Sequence, residues 1–262
     1  MVEQRRDDGE RPVCVIADVH GRADLLGALL DAIERAHPDA RVMMLGDVID
    51  RGPDVVGTLG LVRSVPERFP GSDVLLGNHE NWLLSTLDGD GGAWEGWRAW
   101  GGRATLAAFD IDAEASPEVM REAFMTRAPE TIAFLRERPR IRLGEGAAAG
   151  HVFVHAGVDP TVPLGRQDPD DLIWIREPFL SWERPLERTV VHGHTIADRP
   201  EIGPHRIGLD TGAYRTGVLA CLVMEPGGVR RFLAARGDGS APPRVSSIEP
   251  ARVPERFRSG IW

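Results

Sequence analysis

Residues 43–52 read Met43-Met44-Leu45-Gly46-Asp47-Val48-Ile49-Asp50-Arg51-Gly52, and residues 74–80 read Val74-Leu75-Leu76-Gly77-Asn78-His79-Glu80. Each is a short apolar run, closed by Gly, that gives way at once to acid, amide or imidazole. Such a run reads as a buried strand, with the polar residues at its carboxyl end. The pattern also occurs at Val15-Ile16-Ala17-Asp18-Val19-His20-Gly21, at Val154-His155-Ala156-Gly157 and at Val191-His192-Gly193-His194-Thr195. Open α/β sheets bind ligands beyond the carboxyl ends of their strands. Taken singly, an Asp after a strand is a turn former and a lone His a satisfied polar residue. Gathered at one rim, these acids would be desolvated without a partner. The set makes sense around metal.

Working outward, the period of the apolar residues predicts strands over 12–17, 41–45 and 73–76. Helices are predicted over 22–36, where Leu25, Leu26, Leu29, Leu30 and Ile33 recur at helical spacing, and over 54–67. This βαβαβ rhythm implies parallel strands with right-handed crossovers. Residues 81–138 read as mostly helical. Strands return over 140–143, 151–155, 189–192, 205–209, 218–224 and 229–234. The fold class is therefore α/β, with two sheets packed together and helices outside. From 235 onward Pro, Gly, Ser and Arg dominate without a period, which reads as a tail.

The chain has 262 residues and a net charge of -9, with 31 basic against 40 acidic residues. All the basic residues are Arg, which excludes Schiff-base and P-loop lysine chemistry. An acidic chain without a basic run argues against general nucleic-acid binding. Residues 1–11 carry no apolar h-region and no apolar stretch approaches ~20 residues, so neither a signal peptide nor a membrane span is expected. Cys14 and Cys221 sit in strand-like segments as buried thiols, which suits a cytoplasmic protein.

In chain order, Asp-x-His-Gly, Gly-Asp-x-x-Asp-Arg-Gly, Gly-Asn-His-Glu, His-Ala-Gly and Gly-His-Thr resemble the phosphoprotein phosphatase (PPP) family of metallophosphoesterases. The likeness is greatest to its bacterial and lambda-phage serine/threonine protein phosphatase branch. Trp174-Ile175-Arg176 and Asp210-Thr211-Gly212-Ala213 resemble further segments of that branch. The resemblance implies a calcineurin-like αββα sandwich of two mixed sheets flanked by helices, with a helical cap over about 81–138. The catalytic domain would span 12–234, between a flexible tail at 1–11 and a Pro/Arg-rich tail at 235–262. Two departures are Ala17, where the family usually has Gly or Ser, and His194-Thr195-Ile196, which lacks the Gly-His-x-His ending of many other metallophosphoesterases.

The same resemblance implies that Asp18 and His20 hold a first metal, that Asp47 bridges two, and that Asn78, His155 and His194 complete the second site. The donor set agrees: carboxylate, imidazole and amide without thiolate suit two divalent ions, Mn²⁺ first, with Fe or Zn²⁺ as the other choices. Arg51 and Arg176, with Asn78 and His79, are expected to hold phosphate. His79 is expected to protonate the leaving alkoxide, with Asp50 behind it. His192 and Asp210 are expected beside the ligands, a turn role competing for Asp210. His151 reads as a plain strand residue.

The function implied is metal-dependent phosphomonoester hydrolysis by direct attack of metal-activated hydroxide on phosphate, without a covalent phosphoenzyme. Its partner would be a phosphorylated protein or peptide, or a small phosphoester. The alternative is a nucleoside polyphosphate hydrolase similar to symmetrical diadenosine tetraphosphatases, acting on a dinucleoside polyphosphate. A non-catalytic regulatory module on this fold is a minor alternative. Trp94, Trp97 and Trp100 read as helix core or as a substrate-facing stripe, and Tyr214 as a residue within reach of the site.

Overall fold

Val13–Ile16 (β1), Arg41–Met44 (β2) and Asp73–Val74 (β3) lie parallel, joined by helices Ala23–Ala36 (α1) and Val55–Arg68 (α2). The structure is a computed structural model and describes residues 11–228 and 230–253. All five apolar residues that predicted α1 are buried along one face. Asp54 starts α2 by accepting the Gly57 amide at 2.7 Å, satisfying one of the free N–H groups of the first turn.

Next come Asn78–Leu87 (α3), Gly91–Trp97 (α4), Arg103–Ala108 (α5), Pro117–Arg127 (α6) and Pro129–Arg136 (α7). The segment is helical, as expected. Trp97, Leu106, Phe124 and Ile132 share one apolar cluster with α1 and α2, so these helices continue the outer layer.

The remaining strands are Ile141–Leu143 (β4), His151–Val154 (β5), Thr189–His192 (β6), Glu201–Ile202 (β7), Arg206–Gly208 (β8), Val218–Met224 (β9), Arg230–Arg236 (β10), Arg244–Ser247 (β11) and Ala251–Arg252 (β12). Among the described residues they build two six-stranded mixed sheets, ordered β11-β10-β9-β1-β2-β3 and β12-β7-β8-β6-β5-β4. Val13, Val15, Phe153, Val191 and Leu222 meet between the sheets. Cys14, Ile16, Cys221 and Val223 face the helices. The two-residue period of a strand sorts these sets. Because both faces are covered, the strands read as continuous apolar runs.

The tail expected from 235 is corrected by β11 and β12. β11 pairs antiparallel with β10 and β12 pairs parallel with β7, so this segment edges both sheets. Its side chains are largely solvent-facing, and backbone hydrogen bonds hold it. An edge strand of that kind leaves no hydrophobic period to read. The tail expected over 1–11 falls, save Arg11, outside the described residues.

Candidate metal centre

The site is built where β1, β2, β5 and β6 end. Asp18, His20, Asp47, Asp50, Arg51 and His194 all have positive φ, between 44° and 71°. Side chains rarely adopt that region, and strain of this kind clusters at functional sites. Gly46 lets the two central loops touch: a Cβ there would lie 2.4 Å from the Gly77 nitrogen.

Glu80, in the first turn of α3, ties those loops together. Its Oε2 accepts from the Asp47 and Gly77 amides at 2.8 and 2.9 Å, and its Oε1 from Val48 and Ile49 at 2.9 and 3.2 Å. Burial, with the charge of Asp47, pushes its carboxyl up to about 6. The sequence reading gave Glu80 no role. The signal was its place at the third position of a helix after Gly77, where an acid reaches back to free backbone N–H groups.

Asp47 is the centre of the cluster. Ligand atoms of His20, Asp47 and His79 lie within 4.8 Å of one another, and so do those of Asp47, His155 and His194. Asp47 Oδ2 lies 3.3 Å from His20 Nε2, and its Oδ1 lies 3.5 Å from His155 Nε2. Burial would raise this carboxyl, but His155, His79 and His20 outweigh it and hold it well below the usual carboxylate range. Asp18 goes the other way, raised by burial and by Asp210 and Asp47. Its two oxygens accept from the His194 amide at 3.0 and 3.1 Å.

The donors suit cations. Nδ1 of His155 donates to the Leu45 carbonyl at 2.9 Å, which turns its Nε2 toward Asn78 Oδ1, 2.8 Å away. His194 Nδ1 lies 2.9 Å from the same oxygen, while its Nε2 is buried without a hydrogen-bond partner among the described residues. Burial and His155 press the His194 ring down to about 2, so it stays neutral, as a ligand must. His20 likewise donates Nδ1 to the Ile49 carbonyl, freeing Nε2.

Beside this cluster lies a cavity of about 150 Å³, lined by Asp18, Asp47, Arg51, Asn78, His79 and His194 together with Trp82, Trp100, Trp174 and Arg176. The Arg51 guanidinium spans His20 Nε2 and His79 Nε2 at 2.9 and 2.8 Å and stacks 4.9 Å from the Tyr214 ring. His79 Nδ1 is 2.6 Å from Asp50 Oδ2. Arg176 is exposed and pairs with no carboxylate among the described residues.

The expected residues thus converge, with two adjustments. His192, expected beside the ligands, instead packs its ring on Phe179, with Nδ1 against the Gly193 carbonyl and Nε2 facing Arg206. The strand ends at His192 and His194 takes a positive φ, so the two rings do not share a face. Asp210 accepts from the Gly212 amide at 2.7 Å, the turn role, while its charge acts on buried Asp18. Of the Trp stripe, Trp94 and Trp97 are buried and only Trp100, 64% exposed, reaches the cavity mouth. Trp82 and Trp174, 4.6 Å apart between ring centroids, complete the aromatic wall and were not singled out for it.

The calcineurin-like phosphoesterase family profile matches residues 11–208. Serine/threonine-protein phosphatase 2 of Salmonella typhimurium is 26% identical over 218 residues, covering 80% of this chain and 91% of that protein. The symmetrical bis(5'-nucleosyl)-tetraphosphatase of Janthinobacterium sp. is 31% identical over 158 residues, which cover 58% of this chain and 48% of that protein. A solved structure described as a diadenosine tetraphosphatase superposes with a TM-score of 0.60 at 23% identity, over 89% of this chain and 96% of the other.

Proposed function

The chain belongs to the calcineurin-like phosphoesterase family, and from that premise we propose that it is a metal-dependent phosphomonoester hydrolase of the serine/threonine protein phosphatase type. One observation carries this reading: the Asp50–His79 pair and two guanidinium groups converge on one cavity of about 150 Å³ beside the Asp47 cluster. The order of the PPP-type motifs supports it, as does similarity along most of the length of a bacterial protein phosphatase.

Asp18, His20, Asp47, Asn78, His155 and His194 would hold two divalent cations, Mn²⁺ by the donor set, with Asp47 common to both. When bound, such ions supply charge for phosphoryl oxygens and lower the pKa of water. The protein's own groups do the rest. Arg51 leaves the two imidazoles and grips phosphate oxygens as a fork, steadied by the face of Tyr214. Arg176, which lines the same cavity and has no carboxylate to surrender, supplies a second guanidinium to the phosphate. His79 gives the proton at Nε2 to the departing oxygen, while Asp50 holds Nδ1 and so fixes the ring. Trp82, Trp100 and Trp174 take the organic part of the substrate.

That aromatic wall favours a second reading, a nucleoside polyphosphate hydrolase with a base stacked on indole. Turnover of a phosphopeptide and of diadenosine tetraphosphate by the Mn²⁺-loaded protein, measured side by side, separates the two. Faster release of inorganic phosphate from the peptide supports the first. Release of nucleoside diphosphate as the dominant activity overturns it.

A further inference from the structure

Asp50 is fully buried, and three other side chains share its carboxylate. Oδ2 takes His79 Nδ1 at 2.6 Å and Trp97 Nε1 at 2.8 Å. Oδ1 takes the Thr105 hydroxyl, and the Asp50 amide in turn donates to Thr105 Oγ1 at 3.0 Å. Trp97 and Thr105 are themselves fully buried, and both come from the helical insertion rather than from the strand ends that carry the metal donors.

The backbone between them is built for this approach. Between α4 and α5, at Arg98–Gly102, the helical path is kinked, with non-helical dihedrals at Trp100 and Gly101. Gly101 has φ of 128°, and a Cβ there would lie 2.6 Å from Arg51 Cγ; a Cβ on Gly102 would lie 2.7 Å from the Trp97 ring. The same kink holds Arg51, whose amide and Nε donate to the Gly101 and Trp100 carbonyls at 3.2 and 3.3 Å.

We propose that Trp97 and Thr105 are positioning residues for the proton donor: they lock the Asp50 carboxylate so that His79 Nε2 faces the leaving oxygen. The inference rests on the reading of His79 given above. A carboxylate torsion is broad and two-fold when free. Here one donor fixes the first oxygen and a second donor shares the other with His79, so the carboxylate has one orientation and passes it to the imidazole. The insertion is thereby more than a wall of the cavity. It sets the aim of the acid.

Thr105→Val keeps the volume of the side chain and removes the hydroxyl, Thr105→Ser keeps the hydroxyl, and Trp97→Phe removes the indole N–H. Because misaiming a catalytic group costs up to ~10²-fold, Thr105→Val and Trp97→Phe are expected to lower kcat on an alkyl phosphate by about 10-fold or more. Loss on p-nitrophenyl phosphate should be several times smaller, because its leaving group needs little proton donation, and KM should hold. Thr105→Ser should restore most of the loss. In the His79→Asn background Thr105→Val should have no further effect, since its influence passes through that ring. A readout independent of turnover is the downfield ring N–H proton of His79, identified by its disappearance in His79→Asn. It should persist in Thr105→Ser and broaden in Thr105→Val. Equal losses on both substrates, additive losses in the His79→Asn background, or an unaltered proton signal in Thr105→Val would each overturn the proposal. Absence of phosphomonoesterase activity in the wild type sinks the functional reading instead, while the proton signal still decides whether the clamp orients His79.

Discussion

Replacing Glu80 by Gln removes one charge and swaps one acceptor for a donor, at a residue that touches neither cavity nor substrate. Each Glu80 oxygen serves two backbone amides: Asp47 and Gly77 at Oε2, Val48 and Ile49 at Oε1. The Gln oxygen can keep one pair, while its NH₂ group turns toward the other pair, donor against donor. A buried hydrogen bond to a charged acceptor contributes about 1.5–3 kcal/mol, so losing two costs about 3–6 kcal/mol. For a chain of this size that lowers Tm by roughly 6–24 °C. The assay is calorimetric unfolding of Glu80→Gln against wild type, well above pH 6 so that the carboxylate is ionised. Metal content measured in parallel should fall too, because the four amides hold the loop that carries Asp47. A Tm within about 2 °C of wild type at full metal content would refute the idea that this carboxylate is the strut beneath the site.

Three further outcomes follow from the geometry. His79→Asn should retain metal but lose ~10²–10⁴ in kcat, most for poor leaving groups, and equal losses on p-nitrophenyl and alkyl phosphates would exclude proton donation. Asp47→Asn should lose both ions together, read by metal stoichiometry, since both imidazole groups share this carboxylate. His192 gives a pH signature of stability. Burial, with Arg206, holds its ring down to about 3 against 6.5 in the unfolded chain, so the folded state binds fewer protons between those values. Stability is therefore lost as pH falls through that window, by about 2 kcal/mol at pH 5, and His192→Gln should flatten the urea-measured slope between pH 7 and pH 5.

Most of the centre was legible because its donors follow strands that end in Gly-punctuated turns. Asp18 and His155 directly follow an apolar run, Asp47 and Asn78 follow one across a single Gly, His194 follows one across His192-Gly193, and α1 declares itself by a single stripe of Leu and Ile. What escaped depended on contacts between distant segments. Trp82 and Trp174 are 92 positions apart, and only the meeting of α3 with the short helix Asp171–Trp174 makes them one wall. His192 looked like a neighbour of His194 by spacing, but the strand ends at His192 and His194 takes a positive φ, while the His192 ring packs on Phe179. β11 and β12 escaped for an energetic reason, since strands held by backbone pairing at a sheet edge need no apolar alternation.

The end segment has a practical consequence. The family profile stops at residue 208, yet β9 lies beyond it and hydrogen-bonds directly to β1, the strand that delivers Asp18. Past β9, the chain crosses from the rim of one layer to the rim of the other, as a suture passes through two edges of cloth. An expression boundary drawn at the conserved region would unpick that stitch, bare backbone on both layers and invite intermolecular pairing. The stretch that the family profile recognises is thus shorter than the two-layered body that these last strands complete.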